Sequence, residues 1–112
     1  MRISKIAENP PVLVEDALLR LGRNIRTARL RRKLTIADVA NKIGITAKAM
    51  AHVEKGKPTS SIAHYLGALW ALGMIDQMKK VADPDLDEEG KILERSRRPG
   101  TAPKRRAVDN DF

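Results

Sequence analysis

Lys48 and His52 stand four residues apart in the stretch TAKAMAHVEKG, a spacing that aims both side chains the same way on a helix. An ammonium and an imidazole presented side by side are hydrogen-bond donors for an acceptor-rich edge. The small side chains of Ala47 and Ala51 share that outward face. Arg26, Lys55 and Lys57, with the hydroxyls of Thr35, Thr59 and Ser60, add cations and donors suited to an oxyanion such as phosphate. The chain contains no cysteine, so thiolate metal sites and disulfides are excluded. It also lacks a phosphate-cradling glycine loop and a nucleophile–base pair at workable spacing. His64 has no second ligand nearby, and the Asp83, Asp85, Asp87, Glu88 and Glu89 cluster does not match a calcium loop. The chemistry on offer is binding: no catalytic residue, metal or cofactor is expected.

The elements that would present these groups are two short helices joined by a turn, Leu34 to Gly56. Thr35 is a good N-cap, and behind it Ile36, Val39, Ala40 and Ile43 recur at helical spacing. Gly44 can stop that helix in the left-handed region. Ile45 fills the turn, Thr46 caps a second helix, and Ala49, Met50 and Val53 face inward. Gly56 and Pro58 end it. Helix, tight glycine turn and second helix form the pattern of a DNA-reading helix-turn-helix. In that setting Ala47, Lys48, Ala51 and His52 become base-reading candidates, Lys48 toward guanine and Ala47 toward a thymine methyl. Two alanines on the reading face leave few hydrogen bonds to bases, so DNA shape is expected to carry part of the specificity. Arg26, Thr35, Lys55, Lys57, Thr59 and Ser60 become phosphate anchors, which set register and not sequence.

Charge agrees with this placement. The 112 residues carry a formal net charge of +8. From Arg20 to Lys57 eleven Lys and Arg oppose only Asp38 and Glu54, whereas Asp76 to Glu94 holds seven acids against three lysines. Residues 95 to 106 add six basic groups and no acid. The positive field coincides with the helix-turn-helix, and an anionic partner is expected.

Hydrophobic residues make up 42% and aromatics only 3%, which with the abundance of helix formers predicts an all-α fold. Three regions are expected: an arm at 1–10 without fixed helix, a helix-turn-helix domain with dimerisation helices at 11–82, and an acidic hinge with a disordered basic tail at 83–112. Asn9 is the expected cap of a first helix over Pro11 to Arg32, with Val14, Leu18, Leu21, Ile25 and Ala28 as its core stripe and Leu30 off it. Ser60 or Ser61 caps a fourth helix whose inward residues are Ile62, Leu66 and Leu69, with Tyr65 and Trp70 to one side. Gly73 ends it, and Met74 to Val81 reads as a short fifth helix. Beyond Asp83-Pro84, a short helix over Asp87 to Arg95 fits the macrodipole preference. The excess apolar surface of helices four and five predicts a homodimer through Trp70, Met74, Ile75 and Met78. No run approaches the roughly 18 apolar residues that span a bilayer, and no secretory signal follows the basic start, so a cytoplasmic protein is expected.

The segment LGRNIRTARLRRKLTIADVANKIGITAKAMAHVEKGKPTS resembles the Xre/Cro family of bacterial and phage repressor domains, over roughly residues 20 to 72. The frame is Leu21-Gly22, Ile25-Arg26, Arg29, Leu34-Thr35, Val39-Ala40, Gly44-Ile45-Thr46, Val53-Glu54 and Gly56. The resemblance implies a five-helix, lambda-repressor-like fold that dimerises on palindromic operators. It also implies an internal Arg29–Glu54 ion pair. One position departs: Ile36 stands where the family commonly has a DNA-touching glutamine, so the helix capped by Thr35 is expected to anchor through backbone amides behind Thr35. The later half, YLGALWALGMIDQMKKVADPDLDEEGKILERSRRPGTAPKRR, is similar to regulators of the HipB type, encoded beside HipA-like serine/threonine kinases in toxin–antitoxin operons. The function implied is an autoregulating repressor and antitoxin that binds such a kinase. Alternatives are a solitary Xre-type regulator, or a protein-interaction antitoxin with DNA binding secondary.

Overall fold

The computed structural model describes residues 3–97, and among them every regular element is helical. The expectations for a disordered tail from Arg98 to Phe112 lie outside the described residues. The chain divides between Asp76 and Gln77 into two units.

In the first unit, α1 is a single turn over Lys5–Glu8, and α2 runs from Val12–Arg31. The second matches the expected span of Pro11 to Arg32, while α1 and the cap of α2 correct the sequence reading. The arm was expected to lack a helix, yet Ser4 caps one: its hydroxyl accepts from the Ala7 N–H at 3.3 Å. Asn9 does not cap α2; it closes α1, donating its N–H to the Lys5 carbonyl. Pro11 sits before α2 with no side-chain cap at all, its carbonyl accepting from the Glu15 N–H. Proline already supplies the φ a helix start needs, which substitutes for a capping side chain.

Burial on α2 begins late. Val14, expected in the core, is 36% exposed, and Leu18 and Leu21 are half-buried. Full burial comes at Gly22, Ile25, Ala28 and Arg29, so only the C-terminal half of this 20-residue helix lies against the core. Leu30 lies off the stripe and is exposed, as the periodicity predicts. The chain leaves α2 through Lys33, whose φ of 56° is left-handed, and the Leu34 N–H then returns to the Arg29 carbonyl.

Three short helices complete this unit: α3 (Ile36–Ile43), α4 (Ala47–Glu54) and α5 (Ile62–Ala71). Helix α3 packs on α4 and α5, and α4 also packs on α2 and α5. Their shared core is Ile25, Val39, Ala40, Met50, Val53, Tyr65, Ala68, Leu69 and Leu72. Each large apolar member contributes about 1.5–3 kcal/mol by leaving water. The inward face of α5 is rotated from the expected one. Ile62 is 65% exposed, whereas Tyr65 is 2% exposed. The buried stripe is Tyr65, Ala68, Leu69 and Leu72, and Ser61 provides the cap.

Gly73 ends α5, and the expected fifth α-helix is a 3-10 segment over Ile75–Lys80 that crosses the division between units. Beyond it, Asp83 caps a 3-10 turn at Pro84–Leu86, and Asp87 caps α6 (Glu88–Arg95). Among the described residues no helix is long and apolar enough to cross a membrane.

Candidate nucleic-acid interface

Local chemistry sets the α3–turn–α4 unit. At its start the Thr35 hydroxyl accepts from the Asp38 N–H at 3.0 Å, while the Asp38 carboxylate accepts from the Thr35 N–H at 2.8 Å. This reciprocal box holds the Asp38 carboxyl below its ordinary range, because its charged form takes the Thr35 bonds. At the other end Gly44 adopts φ +80°, and the N–H groups of Gly44 and Ile45 both return to the Ala40 carbonyl, at 2.8 and 3.0 Å. Thr46 then starts α4, its hydroxyl accepting from the Ala49 N–H at 3.0 Å. The turn is thereby closed by backbone bonds on one side and a cap on the other.

Helix α4 is fixed from behind by close packing and by charge. Gly22 of α2 lies so near the end of α4 that a Cβ there would come within 2.6 Å of the Glu54 carbonyl oxygen. Gly56 (φ +69°) approaches α2 in the same way, its hypothetical Cβ 2.6 Å from the Leu18 carbonyl. Beside them Arg29 grips Glu54 through Nε–Oε2 (2.6 Å) and Nη2–Oε1 (3.0 Å) and donates Nη1 to the Leu34 carbonyl at 2.8 Å. The hydrogen bond to Glu54 raises the Arg29 guanidinium further above its ordinary value, against the opposing effect of burial.

With Met50 and Val53 fully buried, the opposite side of α4 faces out. Ala47 and Lys48 are exposed, and Ala51 and His52 are half-buried. The four base-reading candidates thus share one short helix, Ala47 and Lys48 on its more exposed part. Among the phosphate candidates, Arg26, Thr35, Lys55, Lys57 and Thr59 are exposed and Ser60 is half-buried. The capping box occupies the Thr35 and Asp38 amides, leaving those of Ile36 and Ala37 as the outward donors of the first turn of α3.

One supporting residue escaped the sequence reading. The buried Tyr65 hydroxyl donates to the Lys57 carbonyl at 2.8 Å, pinning the loop that carries Lys57, Thr59 and Ser60 to α5. Burial pushes this phenol above its ordinary value, an effect that Ser60 offsets in part. The spacing Tyr65, Ala68, Leu69, Leu72 is itself a helical stripe and was the available signal.

Of the dimerisation candidates, Trp70 is 53% exposed, with the Lys42 ammonium 5.3 Å from its ring centroid. It lines a groove of about 700 Å³ together with Ile43, Ile45, Leu66 and Ile75. Met74 and Ile75 are half-buried in the first unit; Met78, also half-buried, belongs to the second. Among the described residues no group of three or more His, Asp or Glu side chains is placed to hold a metal ion.

No family model, curated protein or solved structure matches this chain.

Proposed function

We propose that this protein is a sequence-specific, double-stranded-DNA-binding repressor of the Xre/Cro type. The observation that carries the reading is the outward face of α4: Ala47, Lys48, Ala51 and His52 on a Thr46-capped helix, following a left-handed Gly44 turn. A helix with its side chains is about 10–12 Å in diameter, so α4, eight residues long, fits across a major groove about 12 Å wide. Lys48 and His52 supply donors to base edges. Arg26, Lys55, Lys57, Thr59, Ser60 and the turn behind Thr35 supply phosphate contacts. The surplus of basic residues between Arg20 and Lys57 supplies the long-range attraction. A homodimer through Trp70, Met74, Ile75 and Met78 would match a palindromic operator by its own two-fold symmetry.

The repressor reading extends to a HipB-like component of a cytoplasmic toxin–antitoxin operon, autoregulating that operon and binding a HipA-like kinase. This extension is supported by the resemblance of the segment from Tyr65 to Arg106. Gel shifts with the protein's own promoter test the core of it. A clear preference over shuffled duplex at about 0.15 M salt is the expected result. Equal retardation of both duplexes ends the reading.

A further inference from the structure

A cavity of about 390 Å³ lies where α1, α2 and the loop after α4 meet. Its lining includes two acidic residues, Glu8 and Glu15, and two lysines, Lys55 and Lys57, all four exposed to solvent. Independent geometry agrees. Gly56, between the lysines, has its backbone against Leu18 and Leu19, and Glu15 stands one helical turn before that contact. Among the described residues none of the four is drawn into an ion pair. An influence of these acids on the lysines would run through the field across the hollow and not through direct contact.

We infer that Glu8 and Glu15 are affinity-setting residues, a fixed counter-charge that weakens the hold of Lys55 and Lys57 on DNA phosphate for every duplex alike. This rests on the proposed DNA-binding function. A chain of net charge +8 clings to any polyanion, and binding to random DNA is dominated by phosphate contacts. Acids placed beside two phosphate anchors lower that sequence-independent part. Ala47, Lys48, Ala51 and His52 do not line the hollow, so base reading is left untouched.

The test compares the full-length protein with Glu8→Gln, Glu15→Gln and their double variant, on operator and on shuffled duplex, across a salt series. Asp16→Asn is the control, because Asp16 neighbours Glu15 on α2 but does not line the cavity. The double variant is expected to bind both duplexes about fivefold more tightly at low salt, with the gain shrinking as ionic strength rises. Asp16→Asn should give a clearly smaller gain. In a Lys55→Ala, Lys57→Ala background the gain should disappear. An equal gain from Asp16→Asn, or a gain that survives loss of both lysines, overturns the inference while the DNA-binding function stands. If the unaltered protein retards no duplex at any salt, the function fails and the inference with it. Circular dichroism melts confirm that the Gln variants fold.

Discussion

Arg29 and Glu54, 25 residues apart in sequence, form a buried two-pronged ion pair that joins the last turn of α2 to the end of the outward-facing helix α4. The third prong, Arg29 to the Leu34 carbonyl, also ties down the entry to α3. Removing either partner strands the other as an uncompensated buried charge, which costs about 3–5 kcal/mol. Glu54→Ala and Arg29→Ala should each lower the urea midpoint accordingly. The Arg29→Met, Glu54→Leu double variant should recover most of the loss, because nothing charged is then left buried. A double variant as unstable as the sum of the two singles would show no coupling between the partners and so refute the stranded-charge account.

Gly22 and Gly44 should respond very differently to alanine. At Gly22 a methyl group meets backbone atoms of α4 that no side-chain rotation can move, so the helices must separate; about 3 kcal/mol or more is expected. At Gly44 nothing lies within 4 Å of the added carbon, and only the left-handed φ is strained, at about 1–2 kcal/mol. Paired chemical denaturation of the two variants checks the order.

The Thr35–Asp38 box has a sign-defined pH dependence. The folded-state value of Asp38 lies below its ordinary 3.8, so folding favours the charged carboxylate. Its contribution is complete above the unfolded-state value, near 4, and is lost as pH falls through the lower folded-state value. Asp38→Asn should melt below the unaltered protein at pH 7, and the gap should close once pH has fallen below the lowered folded-state range of Asp38. A gap that persists at the acid end would assign the effect to packing and not to ionisation.

The parts of this fold legible in the sequence were those decided locally. Thr35, Gly44 and Thr46 act within a turn of themselves, and their roles need no partner from elsewhere in the chain. Ile25, Val39, Met50 and Val53 recur at helical spacing in helices packed on one side. Errors came where two local solutions competed. Asn9, expected to cap α2, instead closes the turn that Ser4 caps, because Pro11 sets the start of α2 by itself. On α5, apolar residues run almost all the way round, so periodicity alone could not select the buried face. The Tyr65 hydroxyl selects it, because the Lys57 carbonyl it reaches lies on the other side of a loop. The hollow shared by Glu8, Glu15, Lys55 and Lys57 was illegible for the same reason: it joins segments some 40 residues apart.

If α4 reads DNA as proposed, Lys48 and Lys57 must fail in different ways. Lys48→Ala should cost about 1–3 kcal/mol on the operator and relax discrimination at one base pair. Lys57→Ala should weaken operator and shuffled duplex alike and flatten the salt slope by about one unit. Equal losses on both duplexes for both variants would move Lys48 from the base-reading to the phosphate-binding set.

Trp70 offers the clearest probe of self-association. A tryptophan half in water beside the apolar side chains of Ile43, Ile45, Leu66 and Ile75 is costly to leave uncovered, and the Lys42 ammonium over its ring covers only part of it. Sedimentation at tens of micromolar should give a dimer. Trp70→Glu should give a monomer with an unchanged helical spectrum, since Trp70 is not part of the buried core. The monomer should retain weak binding to a half-site and lose its preference for a palindrome, because only a dimer engages both halves at once. A dimer indifferent to Trp70→Glu would place the two-fold contact on another face of the molecule.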